Sequence, residues 1–140
     1  MILFDTCSII DLFEKHNENI LLNDNVAVCS FNKDELTKVS HRHSINTHLR
    51  HKIIRFFEKN KIKTINVPVT PGNKEQEKAF VASIDKELLR LIPDPSDAVL
   101  AACALKERAN IVTRDRHHLY TARLENLFQH YGITVEKKPL

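Results

Sequence analysis

Four carboxylates stand where short apolar runs end or a helix begins. Asp5 follows Ile2-Leu-Phe4, Glu35 comes shortly after Val26-Ala-Val-Cys-Ser30, Asp97 stands beside Ser96, and Asp115 follows Ile111-Val-Thr-Arg114. Carboxylates gathered in one site of reduced dielectric repel one another strongly, so such a set calls for a compensating cation. A hard divalent ion suits it, because Mg²⁺ and Mn²⁺ bind carboxylate oxygens, water and phosphate, whereas zinc selects His and Cys. One ion, or a pair about 3.5–4 Å apart, generates hydroxide from bound water and stabilises a leaving oxygen. Attack of water on a phosphodiester is the chemistry expected of the set.

Each residue also has a purely structural use. Asp5 can cap the helix that follows it, and Asp97 can be a first-turn charge that complements the helix dipole. Asp34 competes with Glu35, since Leu36 and Val39 facing inward do not decide which of the two meets the site. Asp94, between Pro93 and Pro95, competes in the same way with Asp97. Asp11 and Asp24 read as solvated surface charges. Arg50, Lys52 and Arg55 interleave with apolar residues, and Arg114 and Arg116 flank Asp115; these cations make either a solvated face or a track for an RNA backbone. His41, His43, His48 and His51 form a cluster in which His48 and His51 are three apart, a spacing that also suits zinc. His117 and His118 can assist proton transfer or sit at a helix start.

These residues must be positioned by regular elements, and the apolar spacing supplies them. Ile2–Phe4 predicts a short buried strand, and Ser8–Lys15 a helix with Ile9, Ile10, Leu12 and Phe13 inward. Val26–Ser30 predicts a second strand, after which Asn32 caps a helix carrying Glu35 in its first turn. Ser44–Asn60 reads as an amphipathic helix with Ile45, Leu49, Ile53, Phe56 and Phe57 on one side. Ile62–Val69 predicts a strand and Lys74–Ile92 one long helix, broken by Pro93 and Pro95. Ser96 then caps a helix rich in small residues, Ile111–Arg114 is a strand, His118–His130 a helix and Ile133–Glu136 a last strand. Alternation of this kind predicts an α/β fold, a mostly parallel central sheet in a three-layer α/β/α arrangement, because parallel neighbours need crossover helices. Ligands of such sheets bind outside the carboxyl ends of the strands, where Asp5, Glu35 and Asp115 fall and which Asp97 can join.

At 140 residues and 16.2 kDa the chain predicts a single domain, 1–140, large enough for a core without disulfides or structural metal. A hydrophobic share of 42% places it among folded rather than disordered proteins. A net charge of +3 accommodates a polyanionic partner without requiring one. Cys7, Cys29 and Cys103 are odd in number and lack a C-x-x-C pair, which argues against a disulfide framework and a thiolate zinc knuckle and fits a reducing cytoplasm. The apolar start reaches Asp5 at once, so neither a leader nor a membrane span is expected.

Leu3-Phe-Asp-Thr-Cys-Ser-Ile-Ile-Asp-Leu, Ser30-Phe-Asn-Lys-Asp-Glu-Leu, Ser96-Asp-Ala-Val-Leu-Ala-Ala-Cys-Ala-Leu and Ile111-Val-Thr-Arg-Asp together resemble the PIN domain over nearly the whole chain. The resemblance is closest to the single-domain VapC-type toxins. It implies a PIN-like fold and a metal-dependent endoribonuclease in which Asp5, Glu35, Asp97 and Asp115 are the catalytic, metal-binding acids. Thr6 and Thr113 match hydroxyl positions beside them and would orient the carboxylates. It further implies Mg²⁺ or Mn²⁺, an RNA substrate, a cognate antitoxin and a homodimer. Cys7, His118 and the histidine-rich stretch depart from the commonest pattern and bear on substrate and partner. Two alternatives share the fold: an RNA-processing nuclease without antitoxin, and a non-catalytic RNA-binding or interaction module. A receiver-type phosphoacceptor would also gather carboxylates at strand ends, but no motif places its lysine.

Overall fold

A computed structural model describes residues 1–38, 45–113 and 121–136 of the chain. Its elements alternate as the apolar spacing requires: β1 (Ile2–Phe4), α1 (Thr6–Glu14), a short 3-10 turn (Glu18–Leu22), β2 (Val26–Cys29), α2 (Ser30–Thr37), α3 (Thr47–Lys59), β3 (Thr64–Ile65), α4 (Lys74–Ile84), α5 (Glu87–Leu91), α6 (Pro95–Glu107), β4 (Asn110–Val112), α7 (Ala122–His130) and β5 (Val135–Glu136). The five strands form one parallel sheet in the order β3-β2-β1-β4-β5, with Leu3 in register between Ala27 and Ile111.

Strand residues alternate between faces, and that alternation divides the core in two. Phe4, Val26, Val28 and Val112 pack on one face with Ile9, Leu12 and Phe13 of α1, Leu36 of α2 and Ile53 of α3. Leu3, Ala27, Cys29 and Ile111 pack on the other with Val81 of α4, Leu88 of α5, Phe128 of α7 and the buried run of α6. The expected three layers are therefore present, with the sheet wholly parallel among the described residues. In α6, Ala98, Ala101, Ala102 and Ala104 are fully buried, and their small side chains allow the close approach of α4 and the sheet.

Several local expectations are corrected. Lys74–Ile92 is two helices, because Asp85 takes extended backbone and accepts the Glu87 N–H at 2.9 Å. The Tyr131 phenol donates to Asp85 at 2.9 Å, which holds the break in place and pushes the phenol above its usual range. The Ile62–Val69 strand shrinks to Thr64–Ile65; two residues on, Val67 N–H turns to Ser30 Oγ at 2.9 Å. Helix α2 starts at Ser30 without a capping side chain, so Asn32 lies inside it, and α6 is capped by Asp94 rather than Ser96. Asp11 is not a surface charge: it is 4% exposed and pairs with Lys15 at 3.1 Å. No helix among the described residues is long and apolar enough to cross a membrane.

Cys29 ends β2 and Cys103 lies in α6, both fully buried, whereas Cys7 is exposed. The two buried thiols hydrogen-bond to each other; this bond pulls Cys29 below the usual thiol range and, with burial, pushes Cys103 far above it. A thiol reagent is expected to titrate only Cys7 in the folded protein and all three cysteines in denaturant. A native count of three would show that the packing between β2 and α6 opens readily.

Candidate active site

Strand β1 connects through α1 to β2 on one side, and β4 connects through α7 to β5 on the other. Helices α1 and α7 thus pack on opposite faces of the sheet, and in open sheets of this class ligands bind where such a switch occurs, here at the carboxyl ends of β1 and β4. Asp5 and Thr113 are the residues at those two ends. The Asp5 N–H donates to the Val112 carbonyl at 3.2 Å, continuing the ladder one step past β1. Its carboxylate is held from two directions: Ser8 N–H donates to Oδ1 at 2.8 Å, and the fully buried Thr113 hydroxyl donates to Oδ2. Asp5 is therefore both the N-cap of α1 and a fixed negative charge at the sheet edge.

Helix α2 begins directly after β2, so its first turns lie at the same edge. Glu35 is 7% exposed and its Oε1 accepts the Thr6 hydroxyl at 2.9 Å, while Asn32 Nδ2 donates to Thr6 Oγ1 at 2.8 Å. Neighbouring helical positions point about 100° apart. Asp34 accordingly points elsewhere and pairs with Lys38 at 3.4 Å, so Glu35 is the acid that meets α1.

Helix α6 ends at Glu107, with Arg108 as its C-cap two residues before β4 begins, and so runs back against the strand direction. Its N-terminus is thereby directed to the carboxyl edge. Asp94 caps the helix through Oδ1, accepting from Ser96 N at 3.1 Å and Ser96 Oγ at 2.9 Å. Asp97 follows in the first turn, half-buried. Asp115, Arg114, Arg116, His117, His118, His41 and His43 lie outside the described residues.

On α3, Arg55 is exposed and Arg50 half-buried, but Lys52 Nζ lies 3.2 Å from Glu18 Oε1 and 3.1 Å from His16 Nδ1 and so is tied to the turn after α1. His48 and His51 are exposed. Among the described residues no group of three or more His, Cys, Asp or Glu side chains is arranged to hold a metal ion. The zinc reading of His48 and His51 therefore gains no further ligand among them, and Asp5, Glu35 and Asp97 do not make a closed cage on their own. Mg²⁺ needs no such cage, since it takes one or two carboxylates and keeps several waters. The groups joined at this edge by Thr6 and Thr113 offer oxygen donors, the type that hard cations select. Burial also strengthens the attraction of Glu35 for a cation by lowering the local dielectric. In donor type, these residues fit Mg²⁺ or Mn²⁺.

The PIN domain family model matches residues 2–124, from β1 into α7. The chain belongs to the PIN-domain family. No significant match to a curated protein or to a solved structure was found. PIN domains are generally nucleases, so a nucleic acid is the substrate class that membership implies. Within this PIN domain, one of the side chains that sequence reasoning assigned wrongly is Asn32, taken for a helix cap. The available signal was an Asn three residues before Glu35, at an interior helical position that its propensity does not favour.

Proposed function

We propose that this PIN domain is a divalent-metal-dependent endoribonuclease of the cytoplasm, with Asp5, Glu35, Asp97 and Asp115 as the acids that hold Mg²⁺ or Mn²⁺. When bound, such a cation supplies a Lewis acid and a water of lowered pKa. The protein's own contribution is to fix the acids. Thr113 orients Asp5 and Thr6 orients Glu35, and supporting bonds of this kind typically sustain metal affinity or activity by about 10–100-fold. Arg50 and Arg55, with Arg114 and Arg116, are assigned to the RNA phosphates; Lys52 would join them only by leaving Glu18. The observation that carries the reading is the pair of carboxylates, Asp5 and Glu35, at the carboxyl edge of the sheet, each accepting a threonine hydroxyl.

The test is cleavage of a broad RNA pool by the purified protein with Mn²⁺ or Mg²⁺, beside EDTA and Asp97→Asn controls. Cuts should require the metal and fall at least about 100-fold in the variant, beyond the loss of one supporting bond. Undiminished cleavage by Asp97→Asn would remove Asp97 from the set, and cleavage unaffected by EDTA would remove the metal.

The resemblance extends this proposal to the toxin of a toxin-antitoxin pair, acting as a homodimer. Expression in a bacterial host should then arrest growth, and co-expression of a cognate antitoxin should relieve it. A protein that cuts RNA without arresting growth is instead a processing nuclease.

A further inference from the structure

We propose that Asn32 is a positioning residue for Glu35, acting through the hydroxyl of Thr6; this rests on the nuclease reading above. Asn32 is the third residue of α2 and caps nothing. It is 5% exposed, and its Nδ2 reaches across to α1 and donates to Thr6 Oγ1 at 2.8 Å. Thr6 Oγ1 in turn lies 2.9 Å from Glu35 Oε1. A hydroxyl has a single proton. With the Asn32 amide donating to its oxygen, Thr6 turns that proton to Glu35, and the relay runs in one direction, from Asn32 to Thr6 to Glu35. The opposite amide orientation would present two acceptor oxygens, Asn32 Oδ1 and Glu35 Oε1, to one proton. Donation to Oε1 holds the carboxylate in one orientation, which a cation ligand requires.

The far end of Asn32 supports the same conclusion. Its Oδ1 is buried and has no hydrogen-bond partner among the described residues. A buried carbonyl left unpaired destabilises a fold, and a leucine of similar size would fill the space without that penalty. The amide is accounted for by what its NH₂ group does to Thr6.

Asn32→Leu, Thr6→Val, Thr6→Ser and the Asn32→Leu/Thr6→Val double variant would be compared with wild type. The readouts are thermal melting, Mn²⁺ affinity by electron paramagnetic resonance titration, and the kcat and KM of RNA cleavage. Asn32→Leu should melt no lower than wild type yet bind Mn²⁺ roughly 10-fold more weakly, with kcat reduced and KM for RNA unchanged. Thr6→Ser, which keeps the hydroxyl, should recover most of the Mn²⁺ affinity that Thr6→Val loses. In the Thr6→Val background, Asn32→Leu should cost nothing further, because the group it acts through is gone. Losses that multiply in the double variant, or an Asn32→Leu protein with wild-type Mn²⁺ affinity and cleavage, would overturn the role of Asn32 and leave the nuclease reading standing. A wild-type protein that neither binds Mn²⁺ nor cuts RNA would overturn both. If Asn32→Leu does not fold, Asn32→Ala gives the same comparison.

Discussion

Asp5→Asn is expected to leave folding stability within about 1 kcal/mol of wild type while lowering RNA cleavage by at least about 100-fold. The separation follows from the two roles the side chain holds. As the N-cap of α1 it accepts the Ser8 N–H through Oδ1, which an asparagine does equally well. The amide NH₂ then faces Thr113, whose hydroxyl rotates to accept instead of donate, so the contact between the ends of β1 and β4 survives. What is lost is the negative charge, worth little to the cap and essential to a cation. Asp5→Ala should lose the activity and also about 1 kcal/mol of stability, since the cap goes with the charge. Urea denaturation alongside the RNA assay checks both; an Asp5→Asn protein that cuts at the wild-type rate would reduce Asp5 to a cap.

The largest expected loss of stability belongs to Phe13→Ala. Phe13 is 1% exposed in α1, and its ring meets Phe56 of α3 edge-on, with centroids 5.3 Å apart. Truncating a buried phenylalanine typically costs about 3–5 kcal/mol, a large part of the 5–15 kcal/mol that holds a domain together. The edge-to-face geometry adds to the area term, because ring edge and ring face carry opposite partial charge. The contact also has a positional consequence: α1 carries the Asp5 cap and Thr6, and α3 carries Arg50 and Arg55, so this pair of rings sets the basic helix against the acidic edge. The urea midpoint should fall with little change in slope. A cost under about 1 kcal/mol would show that α3 does not rest on α1 through these rings.

The parts legible from sequence share one property: their determinants are close together in the chain. Ile2–Phe4 and Val26–Cys29 are short apolar runs bounded by polar residues, and Leu49, Ile53 and Phe56 recur at helical spacing, so strand, helix and their alternation could be read directly. Alternation implied a parallel sheet, and the carboxyl-edge rule then put Asp5 and Glu35 at one place. The family resemblance contributed the hydroxyls Thr6 and Thr113. Two misread features depend on distant parts of the chain. No glycine or proline marks the break after Ile84; it coincides with Asp85, bound by a tyrosine 46 residues away. Asp11 looks like a surface charge in α1 and is buried only because the chain packs around it.

Local chemistry, then, determined the elements and the acidic residue types, because periodicity and turn residues act over a few positions. Tertiary structure alone decided between Asp34 and Glu35, because a helix's phase is settled only when it packs. It also aimed Asn32 at Thr6, since that hydrogen bond joins residues on two helices that only the packed sheet brings together.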